Sequence, residues 1–209
     1  SSKPGSALQS FLGKAPAVPM ASRTAAEAAD PGDQVFSPAE ASDSNALGVR
    51  YDPGNPFLRI LSGQAAAFKL LETEHALAFL DTMPMTRGHC LLIPKVRVAT
   101  VLDLDEATTV AVLRELPRLA RAVVEVTGCT GMHVLQNNGA EAMQTVFHVH
   151  FHLIPRYGEC SMSELAAKRK PLNREDAETL AAEVRACLAQ PIRAAGSSGG
   201  GGASGRSRL

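Results

Sequence analysis

The sequence predicts an α+β fold: five strands in a mostly antiparallel sheet, a long proline-interrupted helix and a C-terminal helix. Three observations predict it. The patterned segments follow the order strands, helix, strands, helix. Cys90-Leu91-Leu92-Ile93 is a continuous apolar run, the pattern of a strand covered on both faces. His148-Val149-His150-Phe151-His152-Leu153 alternates strictly, and a strand sends successive side chains to opposite faces. Three imidazoles therefore share one face, and Val149, Phe151 and Leu153 share the other.

The elements follow in chain order. Phe57-Leu58-Arg59-Ile60-Leu61, before Ser62-Gly63, reads as a short helical turn. Ala67 to Thr73 and Ala76 to Asp81 read as strands joined near Glu74-His75. Pro84 to Gly88 is a loop, and Cys90 to Ile93 is the central strand, ending at Pro94. Leu104-Asp105 opens a helix with acids in its first turn. Val110, Leu113, Leu116, Leu119, Ala120, Val123 and Val124 follow helical spacing. Pro117 should kink or split this helix, and Gly128 should end it. Met132 to Gln136 is the fourth strand, Asn137-Asn138-Gly139 a loop, and Phe147 to Pro155 the histidine-bearing fifth strand. Asn173 caps a last helix with Leu180, Val184 and Leu188 on one face.

The ends differ from this middle. Residues 1–54 are rich in Ala, Ser and Pro and too poor in large apolar residues to offset their ordering entropy. They are expected to form a disordered or targeting extension. Lys3, Lys14 and Arg23 precede the first acid, Glu27, which is compatible with an organelle transit peptide. The Gly/Ser-rich stretch 191–209 is expected to be a flexible tail, leaving 55–190 as one domain.

With 21 basic and 21 acidic residues, bulk charge gives no reason to expect nucleic acid or an anionic membrane as partner. No apolar run is long enough to cross a membrane. Four scattered cysteines without C-x-x-C suit a reduced compartment, and a cytoplasmic location is expected, with nucleus or organelle as alternatives.

A row of imidazoles serves metal binding or acid, base and nucleophilic chemistry near neutral pH. Three His at i, i+2 and i+4 are within reach of one zinc ion, but no obvious acid stands beside them. In the competing use, a neutral imidazole attacks phosphorus and water resolves the covalent intermediate. Neighbouring imidazoles and loop N–H groups would then stabilise the developing charge.

Two blocks decide between these uses. Gln136 through Arg156, containing Gln144-Thr145-Val146-Phe147-His148-Val149-His150-Phe151-His152-Leu153-Ile154, closely resembles the histidine triad (HIT) nucleotide-binding superfamily. Upstream, Phe68 to Glu74, Ala78 to Pro84 and Arg87-Gly88-His89-Cys90-Leu91-Leu92-Ile93-Pro94-Lys95 resemble its first half. The similarity runs from about Pro56 to Tyr157 and is strongest to the Hint branch, the purine nucleoside phosphoramidases.

The resemblance implies roles residue by residue. His150 would be the nucleophile, His152 a phosphate and leaving-group contact, His148 a supporting hydrogen-bonding residue and His89 the fourth active-site histidine. Asp81 would bind the ribose hydroxyls. Phe57, Ile60, Phe79 and Leu91 would form the purine slot. Asn137 and Thr145 would contact phosphate or leaving group, and Gln144 and Val146 would complete the loop before the triad. The implied activity is cleavage of the P–N bond of nucleoside 5′-monophosphoramidates, without a cofactor. A dinucleoside polyphosphate hydrolase of the Fhit-like branch, or a non-catalytic nucleotide-binding scaffold, is the alternative. A purine nucleotide is the expected substrate and a homodimer the expected assembly.

The chain departs from the family pattern at two places. Met143 stands where the loop usually has Gly, which would narrow the site or shift the loop. Asn55, Leu58 and Arg97 stand where some Hint-like proteins carry the ligands of a structural zinc, so no zinc is expected there. His75 and His133 lie outside the motif and are expected to be ordinary. Lys168-Arg169-Lys170 reads as a solvated face.

Overall fold

The computed structural model describes residues 45–158 and 160–191. The expected targeting or disordered character of residues 1–44, and of the tail beyond 191, lies outside the described residues. Helix α1 (Pro56–Leu61) starts at an Asn55 cap whose Oδ1 accepts the Leu58 N–H at 2.9 Å. Strands β1 (Lys69–Glu72), β2 (Ala76–Leu80) and β3 (Cys90–Pro94) follow as antiparallel neighbours. The long helical pattern is split, not merely kinked, into α2 (Glu106–Leu113) and α3 (Leu116–Thr127). Pro117 sits in the first turn of α3, where its missing N–H costs nothing. Gly128, at φ 65°, caps α3 in the left-handed region.

Strand β4 (Gly131–Leu135) and strand β5 (Phe151–Arg156) complete an antiparallel sheet of order β1-β2-β3-β5-β4. The short helix α4 (Met162–Ala167), capped by a Ser161–Glu164 box, precedes α5 (Arg174–Leu188). Sequence reading placed no element at α4.

Alternation along the strands divides the sheet. Ala76, Ala78, Leu80, Cys90, Leu92, Phe151 and Leu153 point to one face and pack with Val112, Leu119 and Val123 and with Ala177, Leu180 and Val184. This is the main core, roofed by α2, α3 and α5. Leu77, Phe79, Leu91 and Ile93 point the other way and pack with Phe57 and Ile60 of α1. His152 lies opposite Leu91 across the β3–β5 ladder, so the triad shares this second face.

Two expectations need correction. The fifth strand begins at Phe151, not Phe147. Opposite residues 149–150 the ladder would run into Pro94, which has no N–H to donate. There the Val149 N–H bonds the Val98 carbonyl at 2.9 Å instead. The second concerns residues 45–54, assigned by composition to the extension. Asn45 Nδ2 donates to Thr100 Oγ1 at 2.7 Å, and Tyr51 Oη lies 2.9 Å from His148 Nδ1. Among the described residues, no helix is long and apolar enough to cross a membrane.

Candidate active site

Four imidazoles stand in a row on the α1 side of the sheet. The rings of His150 and His152 are 4.8 Å apart and nearly perpendicular, and those of His152 and His89 are 5.2 Å apart. His148 is fully buried, and His150 and His89 nearly so. His89 is brought in by the β2–β3 connection. Gly88, at φ 84°, makes that approach possible, because a Cβ there would come within 2.7 Å of Thr127.

The hydrogen bonds assign each ring its proton. A backbone N–H can only donate and a carbonyl can only accept. His148 Nε2 lies 3.0 Å from the Pro94 carbonyl, so Nε2 carries the proton and Nδ1 accepts from the Tyr51 hydroxyl. His150 Nδ1 lies 2.8 Å from the carbonyl of His148, so Nδ1 carries the proton and Nε2 is a bare lone pair. His89 Nδ1 accepts the Met85 N–H at 3.1 Å, so its Nε2–H donates to His152 Nδ1 at 3.0 Å. His152 is left with a proton on Nε2. His150 is thus the one member of the row with its Nε2 unprotonated.

Burial keeps these rings neutral. It pushes His148 down to about 4, against the hydrogen bond to Pro94, and His152 down to about 3, helped by His150 and His89. His150 and His89 are lowered by the same desolvation, with Asp81 opposing it at His89.

Asp81, just after β2, is buried with its Oδ1 accepting the Met83 N–H at 2.8 Å. Its Oδ2 lies 3.5 Å from His89 Nε2 and 3.7 Å from Arg169 Nη2. Arg169 Nε also donates to the Met83 carbonyl at 2.6 Å. Sequence reading placed Arg169 on a solvated face. It is exposed there, and its guanidinium also reaches the acidic end of the histidine row, where only the fold brings it.

Phe57, Ile60, Phe79 and Leu91 form one cluster, with Phe57 edge-on to Phe79 at 5.6 Å and to His150 at 5.1 Å. Val146 packs against the same cluster. Thr145 is exposed and Asn137 half-buried on the flanking loops. Gln144 is buried, with both ends of its amide used inside the protein. Its Oε1 accepts the Gly139 N–H at 2.8 Å, and its Nε2 donates to the Ala99 and Val146 carbonyls. It shapes the loop. Met143 adopts φ 63° with its side chain 77% exposed. The loop therefore keeps the left-handed conformation that Gly would favour.

Two groups of residues were tested for a metal. The zinc positions offer Asn55, which caps α1, the aliphatic Leu58 and the cationic Arg97. They do not fit a zinc ion. Ligand atoms of Asp81, His89 and His152 lie within 4.8 Å of one another. Yet the Met85 N–H holds His89 in the tautomer whose Nε2 is protonated, so that nitrogen has no lone pair for a cation.

Comparison with known proteins gives the same reading of the fold. Residues 62–159 match the model of the HIT domain. "Protein hit" of Bacillus subtilis is 40% identical over 103 residues, 49% of this chain and 71% of that protein. Adenosine 5′-monophosphoramidase of Schizosaccharomyces pombe is 35% identical over 128 residues, 61% of this chain and 93% of that protein. A solved Hit-like protein from Bartonella henselae superposes with a TM-score of 0.61 at 32% identity, over 66% of this chain and 99% of its own.

Proposed function

Because this chain belongs to the HIT family, we propose that it hydrolyses nucleoside 5′-monophosphoramidates through a covalent nucleotidyl-histidine on His150. The observation that carries this reading is the tautomer of His150. Its Nδ1–H is held by the His148 carbonyl, which leaves a neutral Nε2 lone pair as nucleophile.

In the first step His150 Nε2 attacks the α-phosphorus and the P–N bond to the amine breaks, the amine taking its proton from water. The His148 carbonyl stabilises the positive charge that the ring acquires when its Nε2 bonds to phosphorus. The Nε2–H of His152 donates to a phosphate oxygen or the departing nitrogen. In the second step water adds to phosphorus, the phosphorus–Nε2 bond breaks, and the water's proton is released. The sum is phosphoramidate plus water giving nucleoside monophosphate plus amine. Phe57, Ile60, Phe79 and Leu91 would face the purine, and Asp81 the ribose hydroxyls.

The test is a substrate panel run beside His150→Ala. Adenosine 5′-monophosphoramidate should turn over faster than Ap3A or Ap4A, with loss of turnover and retained AMP binding in the variant. Preference for Ap3A or Ap4A would move the protein to the dinucleoside polyphosphate hydrolases. AMP binding without turnover of any of these would make it a binding scaffold.

We also propose a homodimer. Strand β4 lies at the sheet edge, and Val134, Leu135 and, on α3, Val124 are exposed apolar residues. Light scattering decides this.

A further inference from the structure

We propose that Tyr51, outside the histidine motif, is a positioning residue that holds the nucleophile's support. The proposal rests on the role given above to His150, but its test does not depend on turnover.

The argument starts from where the nucleophile sits. His148, Val149 and His150 precede β5 and make no ladder pairing with β3. A strand segment without a ladder needs other partners to hold its backbone. Three contacts supply them. The Val149 N–H bonds the Val98 carbonyl, His148 Nε2–H bonds the Pro94 carbonyl, and the Tyr51 hydroxyl donates to His148 Nδ1. The last two clamp the His148 ring from opposite sides. The backbone carbonyl of that same residue accepts the His150 Nδ1–H and thereby exposes the attacking lone pair. Tyr51 is one covalent residue and two hydrogen bonds away from the nucleophile, without touching substrate.

The phenol suits this place. A tyrosine hydroxyl is neutral at physiological pH and can donate to a bare imidazole nitrogen. That bond stabilises the neutral ring and disfavours its protonated form. Burial raises the pKa of the Tyr51 phenol itself, so it remains a donor. The ring packs at 5.6 Å from His148, tilted at 57°, and Phe57 closes the other side edge-on at 6.1 Å. The charged or titratable groups near this pair are His150 on the same segment, Asp52 beside Tyr51, and Arg97 from the loop after β3. The Tyr51 hydroxyl is the partner that His148 Nδ1 has.

The experiment is Tyr51→Phe in the full chain, which keeps the ring and deletes the donor. Nitrogen-15 NMR of histidine-labelled protein reads tautomer and titration, with or without substrate. In the parent, His148 should be bare at Nδ1 and His150 bare at Nε2. In the variant, the His148 titration midpoint should rise by about half a unit or more. The acid limb of the rate profile should move up with it. The kcat should fall by about 3- to 10-fold at near-constant KM. Parent-like tautomers and titration in Tyr51→Phe would overturn the proposal, even if kcat fell, because the loss would then be merely structural. Should the parent turn over no phosphoramidate, the NMR arm still decides on Tyr51, while the assigned activity fails separately. If Tyr51→Phe does not fold, Tyr51→Leu and Tyr51→His are read by the same titration: the midpoint should rise in the Leu variant and be partly restored in the His variant, and equal midpoints in the two overturn the proposal.

Discussion

The two faces of the sheet are built from the same strands and carry opposite burdens. On the helix-covered face, alternate residues of β2, β3 and β5 meet α2, α3 and α5 in the larger cluster of buried apolar side chains. On the other face, the next residues along the same strands meet α1 and a set of buried polar groups: His89, His148, His150, Gln144 and Asp81. No described buried side-chain nitrogen or oxygen lacks a hydrogen-bond partner. The comparison teaches that this protein stores its stability on one side and its chemistry on the other. The chemistry side holds its shape through assigned hydrogen bonds, not through close packing alone. Such a network is costly to leave half-satisfied, and that cost keeps each imidazole in one tautomer.

Four measurements break or sharpen this contrast. The largest effect is expected from His150→Ala, which should lower kcat by at least about 1000-fold while the thermal midpoint stays near that of the parent. A melt that collapses with activity would show that the two faces are not separable. On the helix side, Leu92→Ala or Leu153→Ala, each fully buried, should cost about 2–5 kcal/mol in denaturant unfolding. The rate profile of the folded fraction should keep its shape.

The third measurement is stability against pH. His148 and His152 have folded values of about 4 and about 3, below the ordinary 6.5. Between about 6.5 and 4 the unfolded chain therefore binds protons that the folded one refuses. The stability is complete above 6.5 and is lost as pH falls through that window, by on the order of 1–3 kcal/mol per buried ring. Replacing His148 with Gln should flatten the slope, and an unchanged slope would remove His148 from the acid-sensitive set. The smallest effect is at Met143, whose positive φ costs a side chain about 1 kcal/mol. Met143→Gly should stabilise by up to that amount, and since the side chain is exposed, turnover should change little.

Much of this was legible in the chain because local rules govern it. The alternation at 148–153 announced one polar and one apolar face. The run at Cys90 announced a central strand, and Pro117 and Gly128 punctuated the helices where sterics require. Met143 was legible as a departure at the position where the backbone is left-handed. What was misread depended on distant partners. Tyr51 was assigned to an extension on composition, and its one local clue was a lone aromatic before the Asp52-Pro53-Gly54 turn. The reach of the exposed Arg169 to Asp81 likewise lay beyond any local pattern.

By itself, then, the sequence determined the five strands and the long helices, the face that each strand residue takes and the family to which the row of histidines belongs. These follow from periodicity and backbone sterics, which act within a few residues. Only the tertiary structure decided which nitrogen of each imidazole holds its proton, where the fifth strand starts, and which distant side chains reach the row. Tyr51 meets His148 across 97 positions of chain, and Arg169 meets Asp81 only after α4 turns the chain back. A hydrogen bond has direction as well as distance, and its partners are known only once the chain has brought them together.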